Sequence, residues 1–119
     1  MEKSVLQQKS YQFAIRVVRL YAILRDERQE YVLSKQLLRS GTSVGANLRE
    51  AKRGQSRADF SAKMTIALKE ADESLYWIEL LKDGGFLSDE EFNSIHTDGE
   101  ELVKMLVSAT KTLYGTEAK

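Results

Sequence analysis

The chain has 119 residues with 18 basic and 18 acidic side chains, and it contains neither cysteine nor proline. This length allows a single domain and is too short for two independent cores. The lack of cysteine excludes a disulfide framework and a thiolate metal site, so we expect a cytoplasmic protein. No apolar run approaches the roughly 18 residues of a membrane span, and the first residues lack the apolar segment of a secretory signal. We therefore expect no membrane association.

The first predicted helix covers residues 4–28 and has a wide apolar surface. Its seam positions alternate in steps of four and three, the spacing typical of a bundle: Leu6, Ser10, Phe13, Val17, Leu20 and Leu24. Ala14, Val18 and Tyr21 add a second apolar strip. An arc of this width indicates two neighbouring helices, either both from the same bundle or one of them from another subunit.

The second predicted helix, residues 31–53, has three different faces, because successive residues of a helix are about 100° apart. The apolar face consists of Leu37, Gly41, Val44, Leu48 and Ala51. A polar stripe consists of Gln36, Ser40, Ser43, Asn47 and Glu50, and a basic stripe consists of Lys35, Arg39, Thr42, Ala46, Arg49 and Arg53. A glycine inside a helix costs about 1 kcal/mol relative to alanine, so Gly41 and Gly45 indicate a closely approaching backbone. We expect the alanines and serine in the middle of the third helix to provide that approach.

Two further helices are predicted over residues 56–84 and 88–114. The seam of the third helix consists of Phe60, Met64, Ala67, Ala71, Ser74, Ile78 and Leu81. The seam of the fourth helix consists of Phe92, Ile95, Gly99, Leu102, Leu106, Ala109 and Leu113. The apolar phase continues through Gly99, which favours one fourth helix over a short helix followed by a new start.

Local signals mark the beginnings of these two helices. Ser56 and Asp59 have the spacing of a capping box, although the second residue is usually Glu or Gln. Ser88 and Glu91 have the same spacing with the usual residue types.

Four helices with short connections, and no alternating strand pattern, predict an all-α fold. We expect one domain over residues 1–119, folded as an antiparallel up-down-up-down four-helix bundle. The additional apolar and small-residue faces of the first three helices indicate a surface for another copy of the chain. We therefore expect a homo-oligomer.

Patterns typical of catalysis or metal binding are hard to find. The single histidine, His96, has Asn93 three residues before it, so the Glu-x-x-His signature of di-iron bundles is absent. Glu70 and Glu73 share a helix face, but such pairs usually face solvent or a lysine. The mid-helix glycines do not follow a strand, as a phosphate-binding loop requires. We expect a non-enzymatic protein without a cofactor or a bound metal.

Basic residues concentrate in residues 31–57, which hold six of them against one acidic residue. The candidate nucleic-acid or partner-binding residues are Lys35, Arg39, Arg49, Lys52, Arg53 and Arg57. Guanidinium groups bind phosphate through two hydrogen bonds, so this set could hold a nucleic-acid backbone. The alternative is pairing with acidic residues of the later helices, such as Asp59, Glu70 and Glu73. The zero net charge weakens the nucleic-acid interpretation, because no long-range field attracts a polyanion.

The small and polar residues of the second helix are a candidate seam for helix packing or oligomerisation. They are Gln36, Ser40, Gly41, Ser43, Gly45, Asn47 and Glu50. These side chains could lie in water, or they could form a hydrogen-bonded seam that fixes the register of two helices. The short side chains at positions 40 and 43 beside Asn47 favour the seam.

Four segments carry a family resemblance: QLLRSGTSVGANLREA at residues 36–51, SRADF at 56–60, IALKEADES at 66–74 and YWIELL at 76–81. They resemble the bacterial four-helix bundle family named after proteins encoded in intervening sequences of 23S ribosomal RNA genes. The resemblance covers nearly the whole chain. It implies an all-helical subunit that assembles into a ring, with a homopentamer expected.

Carried over to this chain, the family motif falls on Arg39, Ser40, Ser43, Asn47, Glu50, Ala67 and Glu73, without assigned chemistry. A related branch, the accessory protein of diversity-generating retroelements, is similar to a basic pentameric barrel that binds reverse transcriptase and nucleic acid. This chain differs from that branch in its zero net charge. We interpret it as an oligomeric assembly or adaptor protein, with a nucleic-acid-binding or reverse-transcriptase-binding accessory factor as the alternative.

Overall fold

The computed structural model describes residues 4–117, with side chains described up to Lys111. This part of the chain forms four α-helices and no strand. The helices are α1 (Val5–Asp26), α2 (Leu33–Lys52), α3 (Arg57–Asp83) and α4 (Asp89–Glu117). Every predicted helix end lies within three residues of the observed one. No helix within the described range is both long and apolar enough to cross a bilayer.

Each helix packs against two others, so the four helices occupy the corners of a square. α1 and α3 each contact both α2 and α4. Between α1 and α4, Lys9 pairs with Glu101 and Arg16 pairs with Asp98. The residue number rises along α1 while that of its partner falls along α4, so these two helices are antiparallel. Contacts between α1 and α2, between α2 and α3 and between α3 and α4 show that these neighbouring helices are antiparallel as well. The predicted antiparallel up-down-up-down bundle is confirmed, and it measures 49 × 24 × 24 Å.

The predicted seams supply the core. Phe13, Leu24, Leu37 and Ile78 are at most 2 % exposed and come from three different helices. The prediction for Phe60 was wrong, because this side chain is 37 % exposed. It lies where residues 52–60 form an exposed turn and the first turn of α3 at one end of the bundle. The predicted seam residue at position 113 lies outside the described side chains.

Gly41 and Gly45 mark a close backbone approach, but the neighbouring helix is α1 and not α3. A Cβ atom at position 41 would lie 2.8 Å from Cγ2 of Val17. At position 45 it would lie 3.4 Å from Oγ of Ser10. The expectation that small residues of α3 provide this approach was therefore wrong. Ser74, the serine in the middle of α3, contacts Ser40 instead.

Two connections at one end of the bundle are joined by Arg28. Its guanidinium donates to the carbonyl oxygen of Phe86 at 2.7 Å and pairs with Glu91 at 2.7 Å. Glu91 also completes the predicted capping box, since it accepts from the N–H of Ser88 at 2.9 Å and donates its own N–H to Oγ of Ser88 at 3.1 Å. The bonds from Arg28 and Ser88 lower the pKa of Glu91 to about 2. The second predicted cap is also present, because Oγ of Ser56 accepts the N–H of Asp59 at 3.0 Å.

The start of α2 is capped by Glu30, which the sequence analysis did not identify. Its carboxylate is buried and accepts the backbone N–H groups of Val32, Leu33 and Ser34 at 3.2, 3.0 and 2.6 Å. These bonds replace an ordinary cap, since Val32 offers no side-chain acceptor. Burial by itself raises the pKa of Glu30, but the three N–H bonds outweigh it and hold this pKa below its ordinary value.

Candidate functional site

Helix α2 carries most of the predicted site residues and contributes to two different surfaces. Its buried face packs between α1 and α3, and one buried polar contact lies there. The hydroxyl of Ser74 donates to Oγ of Ser40 at 2.9 Å, and both residues are fully buried. Because each hydroxyl has a partner, this contact adds specificity to the α2–α3 packing without an unpaired polar group.

The first surface, which we call the α2–α3 face, consists of Arg39, Ser43 and Asn47 of α2 with Glu70, Glu73 and Trp77 of α3. Arg39 pairs with Glu70 at 3.1 Å and also pairs with Glu73. Nε1 of Trp77 donates to Oε2 of Glu73 at 2.9 Å. Arg39 thus pairs with two of the acidic residues that the sequence analysis named as its structural partners, and its charge is compensated within the chain.

Two exposed side chains of α3, Tyr76 and Ile66, border this charge cluster and complete the α2–α3 face, since Ile66 lies one turn before Glu70 and Tyr76 contacts Trp77. Tyr76 is 55 % exposed and Ile66 is 39 % exposed. The Tyr76 ring meets the ring of Trp77 edge to face, with 5.1 Å between the ring centroids. The α2–α3 face therefore combines exposed apolar area with a compensated group of charges.

The remaining predicted seam residues do not form one continuous hydrogen-bonded row. Ser43 donates to the carbonyl oxygen of Arg39 at 2.7 Å, and Asn47 donates to that of Ser43 at 2.8 Å, so both bond within α2. Glu50 pairs across to Lys63 of α3 at 2.9 Å. Oε1 of Gln36 accepts a long hydrogen bond of 3.5 Å from Nε of Arg39, also within α2. Ser40, Gly41 and Gly45 instead mediate packing inside the monomer.

The predicted basic stripe separates into parts with different surroundings. Arg39 belongs to the α2–α3 face, whereas Arg49, Lys52 and Arg53 lie together in the last turn and C-cap of α2. These three cations and Lys35, in the first turn of α2, form no ion pair with any other side chain described up to residue 111. Arg57 is exposed and begins α3.

The second surface, which we call the α1–α2 groove, lies beside these cations. It is an open groove of about 900 Å³. Tyr11 and Ala14 of α1 line it together with Gly45, Ala46, Arg49 and Arg53 of α2. Lys52 is also at its edge. A smaller recess of about 500 Å³ on the α3 side shares Arg49 and Arg53, so the two arginines lie between two concave surfaces.

His96 has a structural position between α3 and α4. Its Nε2 lies 2.9 Å from Oε2 of Glu79, its Nδ1 lies 3.4 Å from Oε1 of Glu100, and its ring stacks on Phe92. Among the described residues, no group of three histidine or carboxylate side chains is arranged to hold a metal ion. These contacts account for His96 as part of the helix interface.

Comparison with known proteins agrees with this architecture. The family model described as 23S rRNA-intervening sequence protein matches residues 2–108. The chain is also similar to the crystal structure of a protein of unknown function from the S23 ribosomal protein family of Bacteroides thetaiotaomicron. The two chains are 52 % identical with a TM-score of 0.88, over 90 % of this chain and 96 % of that chain. No curated protein matches the sequence. The chain belongs to the 23S rRNA-intervening sequence protein family, as its sequence motifs predicted.

Proposed function

We propose that this protein is a non-enzymatic homo-oligomer that acts as an assembly or adaptor protein, with the α2–α3 face as the contact between subunits. The observation that carries this proposal is the grouping of Arg39, Trp77 and Tyr76 on one exposed surface. Arginine, tryptophan and tyrosine are the residue types that most often dominate the binding energy of protein interfaces.

The charges on this face cost less to bury in a contact than isolated charges would. Glu70 and Glu73 have side chains that are 18 % and 34 % exposed, and both already pair with Arg39. The desolvation penalty for burying a paired cluster is smaller than that for burying isolated ions, because the paired charges still compensate one another. The exposed Ile66 and Tyr76 supply apolar area whose removal from water stabilises the contact. Most positions of the family motif named above also lie on α2 or α3 at this side of the bundle.

The family resemblance supports a homopentamer as the size of the assembly. The absence of cysteine supports a cytoplasmic location, where disulfides are rare. In this proposal the protein works through the surface it presents when assembled, and its partner is another macromolecule.

Light scattering coupled to size-exclusion chromatography tests the assembly. The monomer has a mass of 13.5 kDa, so a pentamer would be about five times heavier. Ile66→Glu places a charge on the α2–α3 face and should reduce the native mass towards the monomer while circular dichroism stays helical. Val107→Glu is the matched control, because Val107 is a similarly exposed apolar residue on α4. A wild-type protein of monomer mass would refute oligomerisation, and an assembly insensitive to Ile66→Glu would place the contact on another face.

Nucleic-acid binding, as an accessory factor, is the second candidate function. The observation that favours it is the group of Arg49, Lys52 and Arg53, whose charges have no acidic partner within the described side chains. Unpaired cations gain most from phosphate contacts, because no internal ion pair has to be broken and each contact releases a counterion. Since the chain has no net charge, this local group must supply the attraction.

Titration of labelled structured RNA and duplex DNA at about 50 and about 200 mM salt tests this second function. The triple variant Arg49→Glu/Lys52→Glu/Arg53→Glu should lose the binding. The triple variant Arg19→Glu/Lys69→Glu/Lys104→Glu is the matched control, because it changes the net charge equally at exposed positions elsewhere. Equal losses in the two variants would show an effect of net charge alone and would contradict a site at the end of α2.

A further inference from the structure

The α1–α2 groove combines two features on opposite walls. Arg49, Lys52 and Arg53 lie along the α2 wall, and the half-exposed ring of Tyr11 lies on the α1 wall. The floor between them contains the small residues Ala14, Gly45 and Ala46. Along the groove, Arg49 lies about one turn beyond Gly45, which meets α1 at Ser10, next to Tyr11. Cations and an aromatic ring that follow one another along an open channel are the elements by which proteins bind unpaired nucleotides, with phosphates on the cations and bases stacked on the ring.

Glu50, the acidic residue that lines the groove, is already paired and so repels a bound anion less than a free carboxylate would. Glu50 lines the groove, but its carboxylate pairs with Lys63 of α3 at 2.9 Å. Among the described residues that line the groove, no free carboxylate therefore compensates the positive charge along the α2 wall. This charge pattern favours an anionic occupant over an apolar or cationic one.

The size of the channel suits a single strand. The α2 wall from Thr42 to Arg53 is about 16 Å long, at 1.5 Å of rise per residue. The floor residues have side chains of one carbon or none, which leaves room for a flat base beside Tyr11. In a duplex the bases stay stacked on one another, so the ring of Tyr11 would have no base face to contact.

We propose that the α1–α2 groove binds a single-stranded nucleic-acid segment, with a base stacked on Tyr11 and its phosphates held by Arg49, Lys52 and Arg53. This inference rests on the nucleic-acid role given above as the second candidate function, and it adds the strandedness of the ligand and the stacking residue. The chemistry is shared by RNA and DNA, so the test includes both.

Fluorescence anisotropy with labelled oligo(U) and oligo(dT) of about 12 nucleotides, a length within the usual range of single-strand sites, tests the proposal on the full chain. Tyr11→Ala should weaken binding about tenfold, the usual effect of removing one stacked base. Tyr11→Phe keeps the ring and should keep the affinity. Tyr31→Ala is the matched control, because Tyr31 is equally exposed in the connection between α1 and α2, outside both the groove and the α2–α3 face.

The salt dependence supplies a second readout. Three phosphate contacts to a single strand predict a slope of about −2 for the logarithm of the binding constant against that of the salt concentration. Tyr11→Ala should leave this slope unchanged, whereas Arg49→Glu/Lys52→Glu/Arg53→Glu should abolish the binding.

Three outcomes separate the two levels of the proposal. Preference for single strands together with dependence on the ring at position 11 supports the groove as a single-strand site. Equal binding of duplex and single strand, unchanged in Tyr11→Ala, overturns this inference and leaves a general phosphate-binding site. The absence of binding to any of these nucleic acids at about 50 mM salt overturns both the inference and the nucleic-acid function.

Discussion

Substitution of Gly41 by alanine tests the close packing of α1 on α2. The new Cβ would lie 2.8 and 2.9 Å from the two γ-carbons of Val17, which is fully buried. Valine in a helix has one strongly preferred side-chain rotamer, so neither methyl group can rotate away. The two helices must therefore move apart by a few tenths of an ångström.

The expected free energy follows from two opposing effects. Alanine improves helix propensity by about 1 kcal/mol over glycine, and overpacking a core costs about 1 to 3 kcal/mol. We expect Gly41→Ala to lower the free energy of unfolding by up to about 2 kcal/mol and Tm by up to about 8 °C. Gly45→Ala is the matched control, because its Cβ would meet Oγ of Ser10 at 3.4 Å, an ordinary contact distance. This variant should be neutral or up to about 1 kcal/mol more stable.

Urea unfolding followed by circular dichroism, at one fixed protein concentration, measures both variants. The substitution should shift the midpoint without changing the slope of the transition. In a Val17→Ala background the alanine at position 41 should no longer destabilise, giving a coupling energy of about 1 to 3 kcal/mol, equal to the cost of overpacking. A Gly41→Ala protein as stable as Gly45→Ala would show that the helices are not held this closely.

Three further predictions concern polar contacts at the starts of helices and in the core. Glu30→Ala leaves three backbone N–H groups of α2 without their acceptor and should cost about 1 to 3 kcal/mol of unfolding free energy, whereas the exposed Glu27→Ala should have little effect in the same urea assay. Because folding lowers the pKa of Glu91 to about 2, its stabilising contribution is complete above the ordinary carboxylate pKa of 4.5 and is lost as the pH falls from about 5 to about 2. Folding also lowers the pKa of Glu30, so its contribution is likewise lost at acid pH, as the pH falls through that lowered pKa. The free energy of unfolding measured across this pH range should fall in the wild type and fall less in Glu91→Gln. An equal dependence on pH in the two proteins would contradict a stabilising role for the Glu91 carboxylate. Ser74→Ala removes the donor to Ser40 and should cost about 1 kcal/mol, and the double variant with Ser40→Ala should cost less than the sum of the two single changes.

Hydrophobic periodicity predicted which residues of α2 are buried, but not which helix they contact. Leu37, Gly41 and Val44 were correctly placed in the core. The neighbour of Gly41 was assigned to the wrong helix, since a buried face looks the same in the sequence whether α1 or α3 covers it. The choice depends on the rotation of α2 about its own axis within the bundle, and that rotation is set by the packing of all four helices.

The basic stripe shows a similar limit. Arg39 and Arg49 lie on the same stripe, yet only Arg39 has acidic residues across from it, because the register of α2 against α3 places Glu70 and Glu73 there. The cap formed by Glu30 could not be identified from spacing rules either. It depends on the left-handed backbone of Gln29, with φ of 56°, which turns the chain so that a long side chain reaches the N–H groups ahead of it.

The two proposed functions use different parts of α2 and support each other energetically. Arg39 and Arg49 share a stripe but are about 15 Å apart along the helix axis, at 1.5 Å of rise per residue, so a subunit contact through Arg39 and Trp77 leaves Arg49 and Arg53 accessible. A single groove with three phosphate contacts binds weakly and is sensitive to salt. If both proposals hold, an oligomer presents several identical grooves to one strand, and each binding event after the first is intramolecular. Assembly then raises the overall affinity without any further basic residue, which is how a chain with no net charge could retain a nucleic-acid partner.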